Sequence, residues 1–229
     1  MNEILQRLRG GLVVSCQAYG DEPMNDAETM AKVALSAVAG GAVAIRAQGI
    51  GHLERMRPLL DVPLIGLWKD GKDGVFITPT LEHAIAVAAT GSEIVALDGT
   101  SRPRPDGLSL AETISGLRAR HEVLVMADVS TFDEGVAAVE AGADVVGTTL
   151  SGYTPYTVKT DGPDLDLVGR LAAELDVPVV AEGRIHSPEA AAEAMRRGAH
   201  CVVVGTAITH PSSITSWFAG AVGAARQPA

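Results

Sequence analysis

Short apolar runs rich in β-branched residues recur along the chain, each bounded by polar or glycine positions: Leu12–Gln17, Ala42–Ala47, Pro63–Lys69, Glu93–Asp98, Val123–Val129, Asp144–Thr148, Val177–Glu182 and Cys201–Gly205. A strand wetted on one side alternates apolar and polar residues. These do not, so both faces must be covered, which is the pattern of a parallel sheet sheathed in helices. The stretches between them carry helix signals. Thr131-Phe132-Asp133-Glu134 is a capping-box pattern, and Ser187-Pro188 and Thr78-Pro79 each predict a helix with proline in its first turn. Gly41, Gly91, Gly142 and Gly198 stand just before strands, where the glycine that ends a helix belongs.

This alternation predicts the α/β class, and 229 residues suit one (β/α)8 TIM barrel occupying 1–229 as a single domain. Leu60-Asp61-Val62-Pro63-Leu64-Ile65-Gly66 is echoed by Leu175-Asp176-Val177-Pro178-Val179-Val180-Ala181, as a repeated βα unit would produce. An open doubly wound sheet would use the same alternation. No Gly-x-Gly-x-x-Gly turn follows the first strand, which favours closure. The stretch from Tyr153 to Pro163, rich in Thr, Tyr, Pro and Gly, reads as a long loop and a lid.

Aromatic residues make up only 3% of the chain, so Ala, Val, Leu and Ile must fill the core. A net charge of −10 argues against nucleic acid or an anionic membrane surface as partner. No run is long and apolar enough to span a bilayer, and the N-terminus lacks a signal-peptide pattern. Cys16 and Cys201 fall at opposite heights of what would be neighbouring strands. Buried free thiols in a reducing cytoplasm are therefore expected rather than a disulfide.

The candidate chemistry collects at strand ends: Gln17, Arg46, Lys69, Asp98, Asp128, Thr148-Thr149, Glu182 and Gly205. In a barrel these positions converge on one face. Lys69, one of four lysines, directly follows Leu64-Ile65-Gly66-Leu67-Trp68. It is either a solvated strand-end lysine or an amine made easier to deprotonate by apolar neighbours. The latter suits proton abstraction beside a carbonyl, or a Schiff base. Glu182 would be costly to bury unpaired, so it either bridges to Arg46 or Arg184 or takes part in chemistry. Asp128 could serve the following helix N-terminus or orient a sugar hydroxyl. Gly183 and Gly205, after the last two strands, could bring backbone N–H groups to a phosphate. Asp98-Gly99-Thr100 reads as a turn, and Arg102 and Arg104 as solvated or as drawing in an anionic substrate. The histidines show no metal-ligand spacing and no serine lies in a Gly-x-Ser-x-Gly turn, so neither a metal nor a serine nucleophile is expected.

Several segments together resemble the N-acylmannosamine-6-phosphate 2-epimerase family: Gly10-Gly11-Leu12-Val13-Val14-Ser15-Cys16-Gln17-Ala18, Leu97-Asp98-Gly99-Thr100 with Arg102-Pro103-Arg104-Pro105, Gly147-Thr148-Thr149-Leu150-Ser151-Gly152-Tyr153-Thr154, and Ala181-Glu182-Gly183-Arg184-Ile185. The resemblance implies a dimeric (β/α)8 barrel, needing no dissociable cofactor. It would interconvert N-acetylmannosamine 6-phosphate and N-acetylglucosamine 6-phosphate in sialic acid catabolism. By resemblance Lys69 is the catalytic acid/base and Glu182 its partner. Gln17, Arg46 and Asp128 would hold the sugar and its acyl group, and Gly183, Arg184, Gly205 and Thr206 the phosphate. Two departures stand out. His210 occupies a position where the family often has Arg, and the segment Asp70–Gly74 is shorter than in many members. Another phosphosugar barrel, such as a decarboxylase or synthase, is the closest rival enzyme. However, the Asp-x-Lys-x-x-Asp arrangement of a metal-dependent decarboxylase is missing at Lys69. A non-catalytic phosphosugar sensor is the other alternative.

Overall fold

The structure, a computed structural model, describes residues 2–18, 20 and 22–225. Eight parallel strands close into a barrel in chain order: β1 Leu12–Cys16, β2 Ala44–Gln48, β3 Leu64–Leu67, β4 Ile94–Asp98, β5 Leu124–Asp128, β6 Val145–Gly147, β7 Val179–Glu182 and β8 Cys201–Val204. Closure is made by β1 and β8, with Leu12 opposite Val202 and Val14 opposite Val204. The fold is the predicted (β/α)8 TIM barrel.

The pleat explains the uninterrupted apolar runs. Val13, Ile65, Met126, Val180 and Val203 point inward and form one buried cluster. Their strand neighbours Val14, Leu64, Val125 and Val179 point outward under the helices in another. The outer layer is α2 Ala27–Ala39, α3 Ile50–Met56, α4 Leu81–Ala89, α5 Leu110–Arg118, α6 Phe132–Glu140, α7 Leu165–Glu174 and α8 Pro188–Arg196. Before them, α1 Glu3–Leu8 adds Leu5 and Leu8 to the inner cluster. It is tied to the barrel by His200, whose ring meets the Leu5 carbonyl at 2.7 Å. After β8 come a single turn, α9 Thr206–Thr209, and α10 Pro211–Ala224.

The helix boundaries follow local chemistry. Thr131 and Glu134 form a full capping box, and Ser187 caps α8 with Pro188 in the first turn. Gly41, Gly91, Gly142 and Gly198 all take positive φ after helix ends, a conformation that costs glycine least. The Thr78-Pro79 expectation is corrected. The N-cap of α4 is Thr80, whose hydroxyl accepts from His83 N, so Pro79 lies outside the helix. Thr78 instead adopts φ 46°, a conformation with no signature in the sequence. Cys16 and Cys201 are buried free thiols on opposite faces of the sheet, and burial pushes both up to about 12. Unlike the other long helices, α10 buries none of its residues and leaves Trp217, Phe218 and Val222 exposed. Among the described residues, no helix is long and apolar enough to cross a membrane.

Candidate active site

At the C-terminal end of the strands a cavity of about 250 Å³ opens. Its lining includes Ser15, Gln17, Arg46, Lys69, Glu182, Gly183, Arg184, Gly205 and Thr206. Residues on or just beyond β1, β2, β3, β7 and β8, distant in sequence, thus meet at the mouth, because every parallel strand ends on the same side.

Arg46, on β2, is the centre of the charge network. It is 1% exposed. Its Nη2 donates to Asp128 Oδ2 at 2.6 Å and Nη1 to Asp128 Oδ1 at 3.3 Å, a two-pronged bond only a guanidinium can make. On its other edge, Nε lies 3.2 Å from Glu182 Oε1. One cation therefore serves two carboxylates from β5 and β7. Asp128 is fully buried, and its Oδ1 also accepts from Thr149 Oγ1 at 2.6 Å. Both of its oxygens are committed to the support of Arg46, below the cavity lining rather than in it.

Glu182 closes β7 on the lining, its second oxygen buried without a hydrogen-bond partner. Burial raises its pKa to about 7, with Asp128 acting in the same direction, against the pull of Arg46 and Lys69. Lys69 stands just beyond β3, partly buried. Burial lowers its pKa to about 8, and the nearby Arg46 charge adds to that effect. The two groups are displaced toward each other from opposite ends of the pH scale. Such a pair can hand a proton across a pocket near neutral pH.

The expected phosphate end is built differently from its two halves. Gly205 approaches β1 so closely that an added Cβ would lie 3.2 Å from Ser15 Cβ, and Thr206 begins α9 beside it. Gly183 takes φ 104° and Arg184 φ 55°, which turns the backbone sharply after β7. The Arg184 guanidinium, in the cavity lining, also reaches the long loop after β6. It donates to Ser151 O at 2.6 Å and Gly162 O at 2.9 Å, and lies 5.2 Å over the Tyr153 ring. That loop is the segment expected to be a lid. Tyr156 also pins it, by donating to Glu134 at 2.5 Å, and Tyr153 itself lines the cavity.

Thr149, expected with Thr148 at the end of β6, lines the cavity, as do Tyr153, Phe76, Thr209 and His210, which the strand ends do not announce. Phe76 arrives by a chain reversal that no motif announces. His210 is held by Glu22 on one ring nitrogen and by Ser213 Oγ at 2.7 Å on the other. Asp70 and the segment 71–74 form an exposed tip beyond Lys69. Arg102 pairs with the buried Asp98 at 2.7 Å, and Arg104 lies outside the cavity lining. Among the described residues, no group of three His, Cys, Asp or Glu side chains is arranged to hold a metal ion.

The sequence model of a family described as "Putative N-acetylmannosamine-6-phosphate epimerase" matches residues 30–224. A protein of Cutibacterium acnes named "Putative N-acetylmannosamine-6-phosphate 2-epimerase" is 55% identical over 223 residues, covering 96% of this chain and 97% of its own. One of the same name from Caldanaerobacter subterraneus is 46% identical, covering 94% and 92%. Among solved structures, the N-acetylmannosamine-6-phosphate 2-epimerase from Clostridium perfringens superposes with a TM-score of 0.92 at 39% identity, covering 96% of each chain. A thiamine phosphate pyrophosphorylase from Pyrococcus furiosus reaches 0.62 at 19% identity, covering 90% of each, and shares the fold alone.

The lysine carries a stability consequence. With its pKa lowered from 10.5 to about 8, folded Lys69 binds fewer protons than unfolded Lys69 between those values. Stability therefore rises with pH through that window, and the buried ammonium costs stability below it. Lys69→Met is expected to be more stable than the parent at pH 7 by about 0.5–2 kcal/mol in urea unfolding. Equal or lower stability would mean that the ion pairing of Lys69 outweighs its desolvation.

Proposed function

The chain belongs to the N-acetylmannosamine-6-phosphate epimerase family, and on that premise we propose that this cavity inverts C2 of N-acetylmannosamine 6-phosphate to give N-acetylglucosamine 6-phosphate, and the reverse. The observation that carries the mechanism is the pairing of Lys69 and Glu182 in one pocket, with pKa values moved to about 8 and about 7. In the open-chain sugar, C2–H lies beside the C1 aldehyde. Removing that proton leaves an enolate, and returning a proton to the opposite face inverts the carbon. Lys69 is the group that takes or gives the C2 proton. Glu182 carries the balancing proton, so the two together hold one proton before and after each turnover.

Gln17 and Arg46 line the sugar end, and Asp128 acts there through Arg46. The phosphate belongs with Gly183, Gly205 and Thr206, where the backbone comes close and α9 begins. Arg184 supports that end through the Tyr153 loop, to which its guanidinium is bound. Buried free thiols suit a reducing cytoplasm as the working compartment.

The test is deuterium incorporation at C2 of N-acetylglucosamine 6-phosphate in D2O. Lys69→Ala should lose about 10²–10⁴-fold in exchange rate while still binding the phosphosugar. Lys69→Arg should not restore it, because a guanidinium stays protonated. Glu182→Gln should lose a similar order if Glu182 carries the balancing proton. The unphosphorylated sugar should bind much more weakly to the parent. Parent-like exchange by folded Lys69→Ala would refute the lysine's role, and equal affinity for both sugars would refute the phosphate site.

The same reading includes a homodimer. The α10 helix exposes Trp217, Phe218 and Val222 with no buried residue of its own, an apolar face that a second copy of the chain would cover. Sedimentation should give twice the chain mass, and Phe218→Glu should shift it toward the single chain. A monomeric parent at micromolar concentration would reject the dimer.

A further inference from the structure

Lys69 is not fixed by the barrel ladder, because β3 ends at Leu67. Beyond it the chain pairs with its own return. Thr78 N donates to Trp68 O at 2.7 Å, Trp68 N donates to Thr78 Oγ1 at 3.1 Å, and Lys69 bridges antiparallel to Ile77. The returning segment then docks on β4, where Asp98 N donates to Ile77 O at 3.0 Å. The direction in which Lys69 enters the cavity is therefore set by the turn at Thr78.

That turn is strained. Thr78 is β-branched, fully buried and holds φ 46°. Such a conformation persists only where its surroundings over-determine it. The surroundings include Arg104, which is 8% exposed. Its Nη1 donates to Thr78 O at 3.5 Å and Pro79 O at 3.4 Å, and its Nη2 to Asp98 O. One guanidinium thus spans the returning segment and the end of β4. The loop bearing Arg104 is itself anchored, by Arg102 on Asp98 and by Asp106 Oδ2, which accepts from Leu81 N at 2.9 Å. Arg104 lies outside the cavity lining, so any effect it has on the reaction passes through the two segments it holds.

We propose that Arg104 is a positioning residue for Lys69, clamping the Thr78 turn so that the hairpin after β3 delivers the lysine into the cavity. The inference rests on the acid/base reading of Lys69 given above. Arg104→Lys keeps the charge but replaces a fork with a point, which cannot reach both segments. Its kcat should fall about 10–100-fold while KM stays within about twofold, because the misplaced group acts on the proton and not on the phosphate. Lys69 should also titrate closer to 10.5 in competitive acylation, as it leaves its desolvated seat. If Arg104→Lys fails to fold, Thr78→Gly serves instead. Glycine accepts the positive φ without strain but removes the hydroxyl that receives Trp68 N–H, and the same two changes are expected. A folded variant of either kind with parental kcat, and with Lys69 still titrating near 8, would overturn the clamp. Lys69→Ala in the same series separates the two ideas. Its inactivity alongside fully active Arg104 and Thr78 variants rejects only the clamp, whereas its activity rejects the acid/base reading beneath it.

Discussion

A guanidinium sealed inside a barrel is expensive, and the site is organised around meeting that expense at Arg46. Asp128 takes two of its nitrogens and Glu182 the third, so the charge is compensated from two directions. With Arg46 and Asp128 cancelling each other, the remaining pair decides the net charge of this four-residue cluster. It is zero when Lys69 and Glu182 share one proton, whichever of them holds it. A second proton makes the interior positive, and loss of the shared one makes it negative. The low-dielectric surroundings disfavour both, and this is the physical reason the pair is poised to exchange rather than to ionise independently.

The same constraint explains the burial of Asp128. A residue at the end of β5 could have faced the ligand, yet it is spent on Arg46 and Thr149. Removing it would leave a buried cation with only Glu182 beside it, and the Glu182 pKa would fall. In the proposed mechanism, support from behind is therefore as much a part of the chemistry as the groups in the lining. Thr78 and Arg184 add to this picture as the only non-glycine residues at positive φ among those described, and both stand at the rim rather than in the barrel wall. Each anchors a loop that brings a side chain to the cavity, Lys69 in one case and Tyr153 in the other.

Much of this was legible in the chain. The apolar runs marked the eight strands because both sheet faces are covered, and the charged residues at their ends marked the cavity because hydrophobic strands rarely tolerate charge elsewhere. Arg46, Lys69 and Glu182 were found that way. What stayed hidden depends on partners remote in sequence. Arg104 reads as solvated or as drawing in an anionic substrate until the Thr78 and Asp98 carbonyls are seen to converge on it. Arg184 follows a glycine at a strand end, and nothing in the sequence shows that its guanidinium bonds the Ser151 and Gly162 carbonyls. Thr78-Pro79 imitates a helix start because a threonine before proline carries no mark of the positive φ that displaces the helix to Leu81.

If Lys69 and Glu182 share one proton, the pH dependence of kcat/KM carries its mark. A bell is expected, with its maximum between about 7 and about 8, falling on the acid side as Glu182 gains the second proton and on the alkaline side as Lys69 loses the last. A rate that stays level from about pH 6 to about pH 9, well outside both limbs of the bell, would contradict it.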